Sequence, residues 1–90
     1  MKRYHIYISG RVQGVGFRWY AQRIAKNIDI LGWVKNLPDG KVEIIAEGNE
    51  ENLERFIEEL KKGYLGGNIR NIEKIEEKYT GEFKNFQIRF

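Results

Sequence analysis

The segment from residue 10 to residue 18 has the composition of an anion-binding loop. Gly14 and Gly16 stand directly before the point at which a helical pattern begins. Without a Cβ, glycine lets successive backbone N–H groups turn toward one point, and a following helix adds unpaired amides and a positive dipole end. Arg18, in the first turn of that helix, can donate two hydrogen bonds to one phosphoryl group. These residues predict a phosphate site, although two glycines also suit an ordinary tight turn.

Asn36 is the second candidate for chemistry. Within the extended run 31–37 it alternates with Trp33, so its carboxamide lies on the opposite face of the predicted strand. A carboxamide both donates and accepts hydrogen bonds and can therefore hold a water molecule. A Pro-Asp-Gly turn follows directly, so the residues alone also allow Asn36 simply to prepare that turn.

Several other kinds of active site are excluded or disfavoured. The chain has no cysteine, hence no thiolate nucleophile, disulfide or cysteine zinc site, and its single histidine, His5, argues against a metal centre. The glycines fit neither the Walker A order nor the dinucleotide-binding pattern. We expect no metal and no cofactor, and a structural role for His5, because the sequence places no catalytic partner beside it.

The elements that position these residues follow from hydrophobic periodicity, which repeats every two residues in strands and every three to four in helices. Asn49 is a good N-cap for the second helix, and Gly63 is expected to end it. The predicted elements are a strand over 4–12, a helix over 17–28, a hairpin of strands over 31–37 and 41–48, a helix from residue 50, a strand over 69–79 with a bulge or phase break, and a short strand over 86–90.

This order of elements predicts the fold class. It is that of an α+β, ferredoxin-like βαββαβ sandwich, with a mostly antiparallel sheet of four to five strands and two helices on one face. Ninety residues, 41% of them apolar, suffice for one domain over residues 1–90 and are too few for two.

Charge and hydropathy give expectations about surroundings. The net charge of +3 suits an anionic ligand without identifying it. No apolar run approaches the roughly 18 residues of a membrane span, and the first ten residues lack a secretory signal. We expect a cytoplasmic monomer that binds no membrane. The Glu and Lys content favours a thermophilic source, against which the seven Asn residues argue.

The two candidate segments resemble the two fingerprints of a known family. Residues 8–18, Ile-Ser-Gly-Arg-Val-Gln-Gly-Val-Gly-Phe-Arg, resemble the first motif of the acylphosphatases. Residues 32–36, followed by Gly40, Val42 and Gly48, resemble the second. The similarity extends over the whole chain. It implies a hydrolase that cleaves the carboxyl–phosphate bond of small acyl phosphates without a metal or cofactor.

The resemblance also implies roles for particular residues. Arg18 is implied to bind the substrate phosphoryl group, and Asn36 to hold the attacking water. The phosphoryl group is implied to bind as well to the backbone amides of Val12, Gln13, Gly14, Val15, Gly16 and Phe17.

Two alternatives stay open. RNA-recognition modules share this element order, but the predicted strand 41–47 contains two acidic residues and no aromatic residue on which bases could stack, so we expect no nucleic-acid partner. Acylphosphatase-like domains also begin larger hydrogenase-maturation carbamoyltransferases, where such a domain would handle carbamoyl phosphate or be non-catalytic. The length of this chain favours the free enzyme.

Overall fold

The computed structural model describes residues 1–14, 16–62 and 68–90, which form one five-stranded sheet and two helices. The elements in chain order are β1 (Lys2–Arg11), α1 (Phe17–Asn27), β2 (Leu31–Asn36), β3 (Val42–Gly48), α2 (Glu50–Lys61), β4 (Asn68–Glu77) and β5 (Phe86–Arg89). The sheet order is β4-β1-β3-β2-β5. Neighbouring strands are antiparallel except β2 and β5, which run parallel. The predicted α+β, ferredoxin-like sandwich is confirmed.

The hydrophobic core lies between the sheet and the two helices. In β1 the alternating residues Tyr4, Ile6 and Ile8 are buried, as the period of two predicts. Phe56 of α2 meets Phe86 of β5 edge to face, with ring centroids 6.0 Å apart. The core therefore joins the helices to β5, the strand at one edge of the sheet.

The two helices follow the predicted patterns closely. The apolar residues that recur every three to four positions over 17–28 are buried except for Tyr20, which is half-buried and whose hydroxyl donates to the backbone oxygen of Glu59 at 3.0 Å. The buried ones are Phe17, Ala21, Ile24, Ala25 and Ile28. Asn49 caps α2 as predicted, its side chain accepting from the amide of Asn52 at 2.7 Å. The predicted end of α2 at Gly63 lies outside the described residues.

The fourth strand contains the expected irregularity. Its pairing with β1 shifts so that Arg70 has no partner residue there, which is a bulge. The bulge resets the alternation, and Ile69 and Ile72 both pack against the core although they are three residues apart. Ile75 lies beyond the bulge and is 42% exposed. The spacing of three is thus explained by one extra residue.

On the outer face of the sheet, a buried carboxylate fixes the segment that leads into β5. Glu47 is 2% exposed and accepts from the Arg3 Nε at 2.8 Å and the backbone amides of Thr80 and Gly81 at 3.0 and 3.1 Å. Burial alone would raise the pKa of Glu47, but the hydrogen bonds from Thr80 and Arg3 lower it below its ordinary value. The carboxylate therefore stays ionised and holds residues 80–81 against β3.

Candidate active site

The loop, Arg18 and Asn36 meet at one cleft of about 200 Å³, where β1 ends and α1 begins. Gln13, another predicted site residue, is not part of the cleft lining. Val15 lies outside the described residues. The predicted site residues that line the cleft are Val12, Gly14, Gly16, Phe17, Arg18 and Asn36. The structure thus brings together six of the eight residues proposed from the sequence.

The loop is a sharp turn with both ends fixed in the core. Val12 and Phe17 are 1% and 2% exposed. Between them, Gly14 and Gly16 have φ values of 76° and 80°, the left-handed region that glycine adopts without steric cost. The core side chains hold the loop in place, and the glycines let the backbone turn within it.

The start of α1 has no side-chain cap. Gly16 occupies the N-cap position and has no side chain to accept a hydrogen bond, and the first turn contains no acidic residue. The first N–H groups of a helix have no partner within the helix, and the dipole makes this end positive. The start of α1 therefore offers hydrogen-bond donors to an anion.

The Arg18 guanidinium is held at the cleft by groups that do not neutralise it. Its Nη1 donates to the backbone oxygen of Arg89 at 3.1 Å, and the guanidinium lies over the Phe90 ring, 4.6 Å from the centroid. No ion pair within the described parts of the chain involves Arg18. A positioned cation without a carboxylate partner is suited to an anionic ligand.

Asn36 ends β2 and contributes to the cleft lining. Val34, two residues earlier, is fully buried while Trp33 is only half-buried, so Asn36 lies on the face opposite Trp33, as expected. Its Oδ1 is buried and makes no hydrogen bond to any described residue. An unpaired buried oxygen costs about 1–3 kcal/mol, which favours a partner that comes from outside the protein.

Gln13 has a function that the sequence did not indicate. Its Nε2 donates to the backbone oxygens of Leu37 and Lys41, each at 2.8 Å. These residues flank the hairpin turn directly after Asn36, so Gln13 ties the loop to the strand that carries the carboxamide. No sequence signal could have shown this, because both acceptors are backbone atoms from a distant segment.

Three further residues line the cleft without having been proposed as site residues: Trp19, Ile88 and Phe90. Ile88 comes close because β5 pairs with β2, where Ile88 lies opposite Val34. The alternation over 86–90 indicates a strand but not its neighbour in the sheet. Tyr79 is not in this lining, and Tyr64 lies outside the described residues.

His5 belongs to a separate cluster on the outer face of the sheet. Its Nε2 and Nδ1 lie 2.7 and 2.8 Å from carboxylate oxygens of Glu43 and Glu77. Burial alone would lower the pKa of His5, but the hydrogen bonds with Glu77 and Glu43 raise it above its ordinary value. The sequence could not place these carboxylates, because β3 and β4 bring them to His5. The contacts are those of a structural histidine.

Two further classes of site are absent from the described segments. No three His, Asp or Glu side chains there come together in a way that could hold a metal ion. Neither helix has the length and apolar content needed to cross a membrane.

The fold and the cleft together place the chain in a class of proteins, namely ferredoxin-like α+β domains that have a candidate oxyanion site at the start of a helix. The acylphosphatase family model matches residues 4–88, and the chain therefore belongs to the acylphosphatase family, whose members are hydrolases. The resemblance stated from the two sequence motifs is confirmed.

Individual relatives agree with the family match. The chain is 45% identical to an acylphosphatase of Syntrophobacter fumaroxidans, over 99% of this chain and 92% of that protein. It superimposes on the crystal structure of acylphosphatase from Bacillus subtilis with a TM-score of 0.96, at 41% identity and complete coverage of both chains. It is also similar to the crystal structure of T. kodakarensis HypF, with a TM-score of 0.88 at 44% identity, covering all of this chain and 12% of that one.

Proposed function

We propose that the chain hydrolyses small acyl phosphates to a carboxylate and phosphate, and that the cleft at the start of α1 is its active site. Membership of the acylphosphatase family supports the reaction. The observation that carries the assignment is that one cleft brings together the uncapped start of α1, the Arg18 guanidinium and the buried Oδ1 of Asn36, and that the described residues offer Arg18 no carboxylate partner and the Oδ1 no hydrogen bond. Each lacks a partner of a kind that the substrate or water supplies.

The phosphoryl group binds to the amides of residues 12–17 and to Arg18. In phosphoryl transfer the transition state spreads negative charge over three equatorial oxygens. Donors that are already in place stabilise this charge without rearranging, and one such donor typically contributes about 10²- to 10³-fold to kcat. Arg18 supplies the positive charge and the amides supply the directed hydrogen bonds.

Asn36 orients the attacking water. A carboxamide has no useful pKa, so Asn36 takes no proton and instead accepts a hydrogen bond from the water through Oδ1. The water oxygen bonds to phosphorus while the bond from phosphorus to the acyl oxygen breaks, and that electron pair leaves with the carboxylate. One water proton stays on the attacking oxygen and the other passes to a phosphoryl oxygen. No side chain changes its protonation.

Gln13 positions the two halves of this site relative to each other. Its two hydrogen bonds to the hairpin turn keep the loop that binds phosphate beside the strand that carries Asn36. A misplacement of about 1 Å can cost about 10²-fold in rate, so this link matters although Gln13 does not contact the reacting atoms through its side chain.

The proposed reaction uses no metal and no cofactor. Arg18 and the amides provide the charge stabilisation that a bound cation supplies in other phosphoryl-transfer enzymes. A nucleic-acid function is disfavoured, because the outer face of the sheet carries the carboxylates of Glu43, Glu47 and Glu77 beside His5 and Arg3. The monomeric state, the cytoplasmic location and the single-domain organisation stay predictions from the sequence.

The test is hydrolysis of acetyl phosphate by the purified chain, with and without EDTA. We expect acetate and phosphate in equal amounts, a rate that EDTA leaves unchanged, and competitive inhibition by inorganic phosphate. A rate abolished by EDTA and restored by Mg²⁺ would contradict the metal-free mechanism. No hydrolysis above the spontaneous rate would refute the proposed activity.

A further inference from the structure

The single histidine joins three neighbouring strands on the outer face of the sheet. The Nε2 of His5, on β1, lies 2.7 Å from a carboxylate oxygen of Glu43 on β3, and its Nδ1 lies 2.8 Å from one of Glu77 on β4. These three residues are here called the His5 clamp. A neutral imidazole has one N–H and can donate to only one of the two carboxylates, whereas an imidazolium donates to both. The geometry is therefore that of a protonated ring.

The charges around His5 favour the same protonation state. Among the ion pairs of the described residues, Lys35 is the one other cation at either carboxylate, with its Nζ 3.9 Å from Glu43. If His5 were neutral, negative charge would be in excess between the strands. Within two residues of His5 or of its partners in register, the same face also carries Arg3, Tyr7, Glu47 and Glu73, of which Arg3 pairs with Glu47 and the Tyr7 ring stacks on the imidazole at 4.7 Å.

Protonation of His5 therefore stabilises the sheet over a defined pH range. Burial alone lowers the pKa of His5, but the hydrogen bonds with Glu77 and Glu43 outweigh it and raise the pKa above its ordinary value. A group whose pKa is raised by folding stabilises the fold fully below its unfolded pKa, about 6.5 for histidine. That contribution is lost as the pH rises through the folded pKa.

Glu77 is the carboxylate that a neutral His5 would release. The side chain of Glu77 is 37% exposed and that of Glu43 is 13% exposed, so water can replace the hydrogen bond of Glu77 more easily. Glu43 also lies on β3, between β1 and β2, whereas Glu77 is the last residue of β4 at the edge of the sheet. The one remaining N–H of a neutral ring therefore stays with Glu43.

The second half of β4 depends on charged contacts. In the first half Ile69 and Ile72 pack against the core, whereas residues 73–77 are all exposed. Besides the backbone pairing with β1, the ion pairs of this half within the described structure are Lys74 with Glu54 at 3.0 Å, Lys2 with Glu76 at 3.7 Å, and the His5 clamp. Lysine titrates near pH 10.4, so of these three contacts only the one from His5 changes close to neutral pH.

We propose that His5 is a pH-sensitive clamp on the edge strand β4. Its imidazolium holds Glu77 against the sheet, and loss of the ring proton lets residues 73–77 separate from β1 more often. This conformational switch lies on the outer face of the sheet and does not depend on the proposed function.

Hydrogen–deuterium exchange over a pH series from about 5.5 to about 8.5 tests the His5 clamp, because this range spans the ordinary pKa of histidine. Exchange rates are read by mass spectrometry after rapid mixing and divided by the intrinsic amide rates at each pH. We expect residues 73–77 to exchange about tenfold faster at the upper end, because a charge-assisted hydrogen bond is lost, while β2 changes less than about twofold. Equal rates across the series, or an equal increase in β2, would overturn the proposal.

Two substitutions on β4 provide a matched pair. Glu77→Gln removes the carboxylate that His5 holds, and Glu76→Gln removes the neighbouring carboxylate, which pairs with Lys2 instead. The pH dependence of exchange over 73–77 should fall below about twofold in Glu77→Gln and stay near tenfold in Glu76→Gln. Full pH dependence in Glu77→Gln would overturn the proposal, because another group would then be the one that titrates.

The protonation of the ring can be followed directly. His5 is the only histidine in the sequence, so its ring nitrogens give one set of ¹⁵N NMR signals. We expect both nitrogens to carry a proton at the acidic end of the series, and the exchange of residues 73–77 to change with the same midpoint as the ring signals. A ring that is neutral throughout, or a midpoint that differs from that of exchange, would overturn the proposal.

Discussion

The two helices of this chain begin in opposite ways. At the start of α2, Asn49 accepts a hydrogen bond from the amide of Asn52, and Glu50 and Glu51 place negative charge in the first turn. At the start of α1, Gly16 provides no cap, no acidic residue is in the first turn, and the cleft lies there instead. The start of α2 is satisfied by its own chain, and the start of α1 awaits an anion.

Two buried side-chain oxygens elsewhere differ in the same way: one has hydrogen-bond partners and the other has none among the described residues. The carboxylate of Glu47 accepts hydrogen bonds from Arg3, Thr80 and Gly81, whereas the Oδ1 of Asn36 has no partner among the described residues. The uncapped start of α1 and the Oδ1 of Asn36 lie in the same cleft. A buried polar group without a hydrogen-bond partner lowers the stability of the fold. Where two such groups lie together, the sequence favours ligand binding over stability.

The largest predicted effect comes from removing the Arg18 guanidinium from the cleft at the start of α1. Arg18→Ala should lower kcat for acetyl phosphate about 10²- to 10³-fold, because a fixed donor to the transition state is lost. Arg55→Ala, at an exposed position on α2, is the control and should leave kcat unchanged. A decrease of less than about tenfold in the Arg18 variant would remove this residue from the proposed mechanism.

Giving α1 an anionic cap would make the two helix starts alike. Gly16→Asp should weaken inhibition by inorganic phosphate about tenfold or more, since a carboxylate would repel the dianion at close range. Gly16→Asn is the matched neutral variant, and asparagine tolerates the left-handed φ of 80° better than most residues. The inhibition constants of the two variants make the comparison. Equal values would show that charge at the cap is irrelevant.

The Asn36 side chain should contribute to the rate and should not stabilise the fold. Asn36→Ala should lower kcat about tenfold to 10²-fold, because the attacking water loses its orientation. The free energy of unfolding should not fall, because the Oδ1 makes no hydrogen bond to any described residue that could be lost, and removing it relieves the cost of an unpaired buried oxygen. Kinetics and urea unfolding on the same variant test both statements. A variant that is destabilised but fully active would assign Asn36 a structural role.

At Glu47, whose carboxylate has hydrogen-bond partners, a substitution should affect stability and leave the rate nearly unchanged. Glu47→Gln should lower the free energy of unfolding at pH 7 by about 1–3 kcal/mol, because the buried site loses its charge-assisted hydrogen bonds, and should leave kcat nearly unchanged. The folded pKa of Glu47 is lowered, so its contribution is present above the unfolded pKa of about 4.3 and is lost as the pH falls through the folded value. Urea unfolding at several pH values should show the wild type and variant converging in acid. A constant difference would contradict this assignment.

The smallest predicted effect is at the cap of α2. Asn49→Ala should lower the free energy of unfolding by about 1 kcal/mol, the usual contribution of an N-cap side chain, with no change in kcat or in phosphate inhibition. Denaturant unfolding together with the acetyl phosphate assay checks this. If activity fell as well, the two helix starts would not be as separate as their contacts indicate.

Most of the fold could be predicted because local sequence determines it. The burial of Ile6 and Ile8, the stripe of α1 and the Asn49 cap each depend on residues within one element. The bulge at Arg70 was required by the spacing of isoleucines, although its position was not predictable. The parallel pairing of β5 with β2 depends on contacts between distant segments, and no local pattern encodes it.

The candidate site was predictable to the extent that it lies in two continuous segments. Gly14, Gly16 and Arg18 are neighbours in sequence, and Asn36 follows from strand alternation. The contacts of Gln13 with the hairpin backbone and the approach of Phe90 to Arg18 appear only in the folded chain. They arise because the loop, the hairpin and β5 converge on one end of the sheet.

The central claim is that the uncapped start of α1 and Arg18 hold a phosphoryl dianion. The most direct measurement is a crystal structure of the chain grown or soaked with inorganic phosphate. We expect one phosphate about 2.7–3.1 Å from the amides at the start of α1 and from the Arg18 guanidinium, with a water on the Oδ1 of Asn36. A cleft that contains only water at phosphate concentrations that inhibit hydrolysis, with Arg18 still directed to the backbone of Arg89, would contradict it.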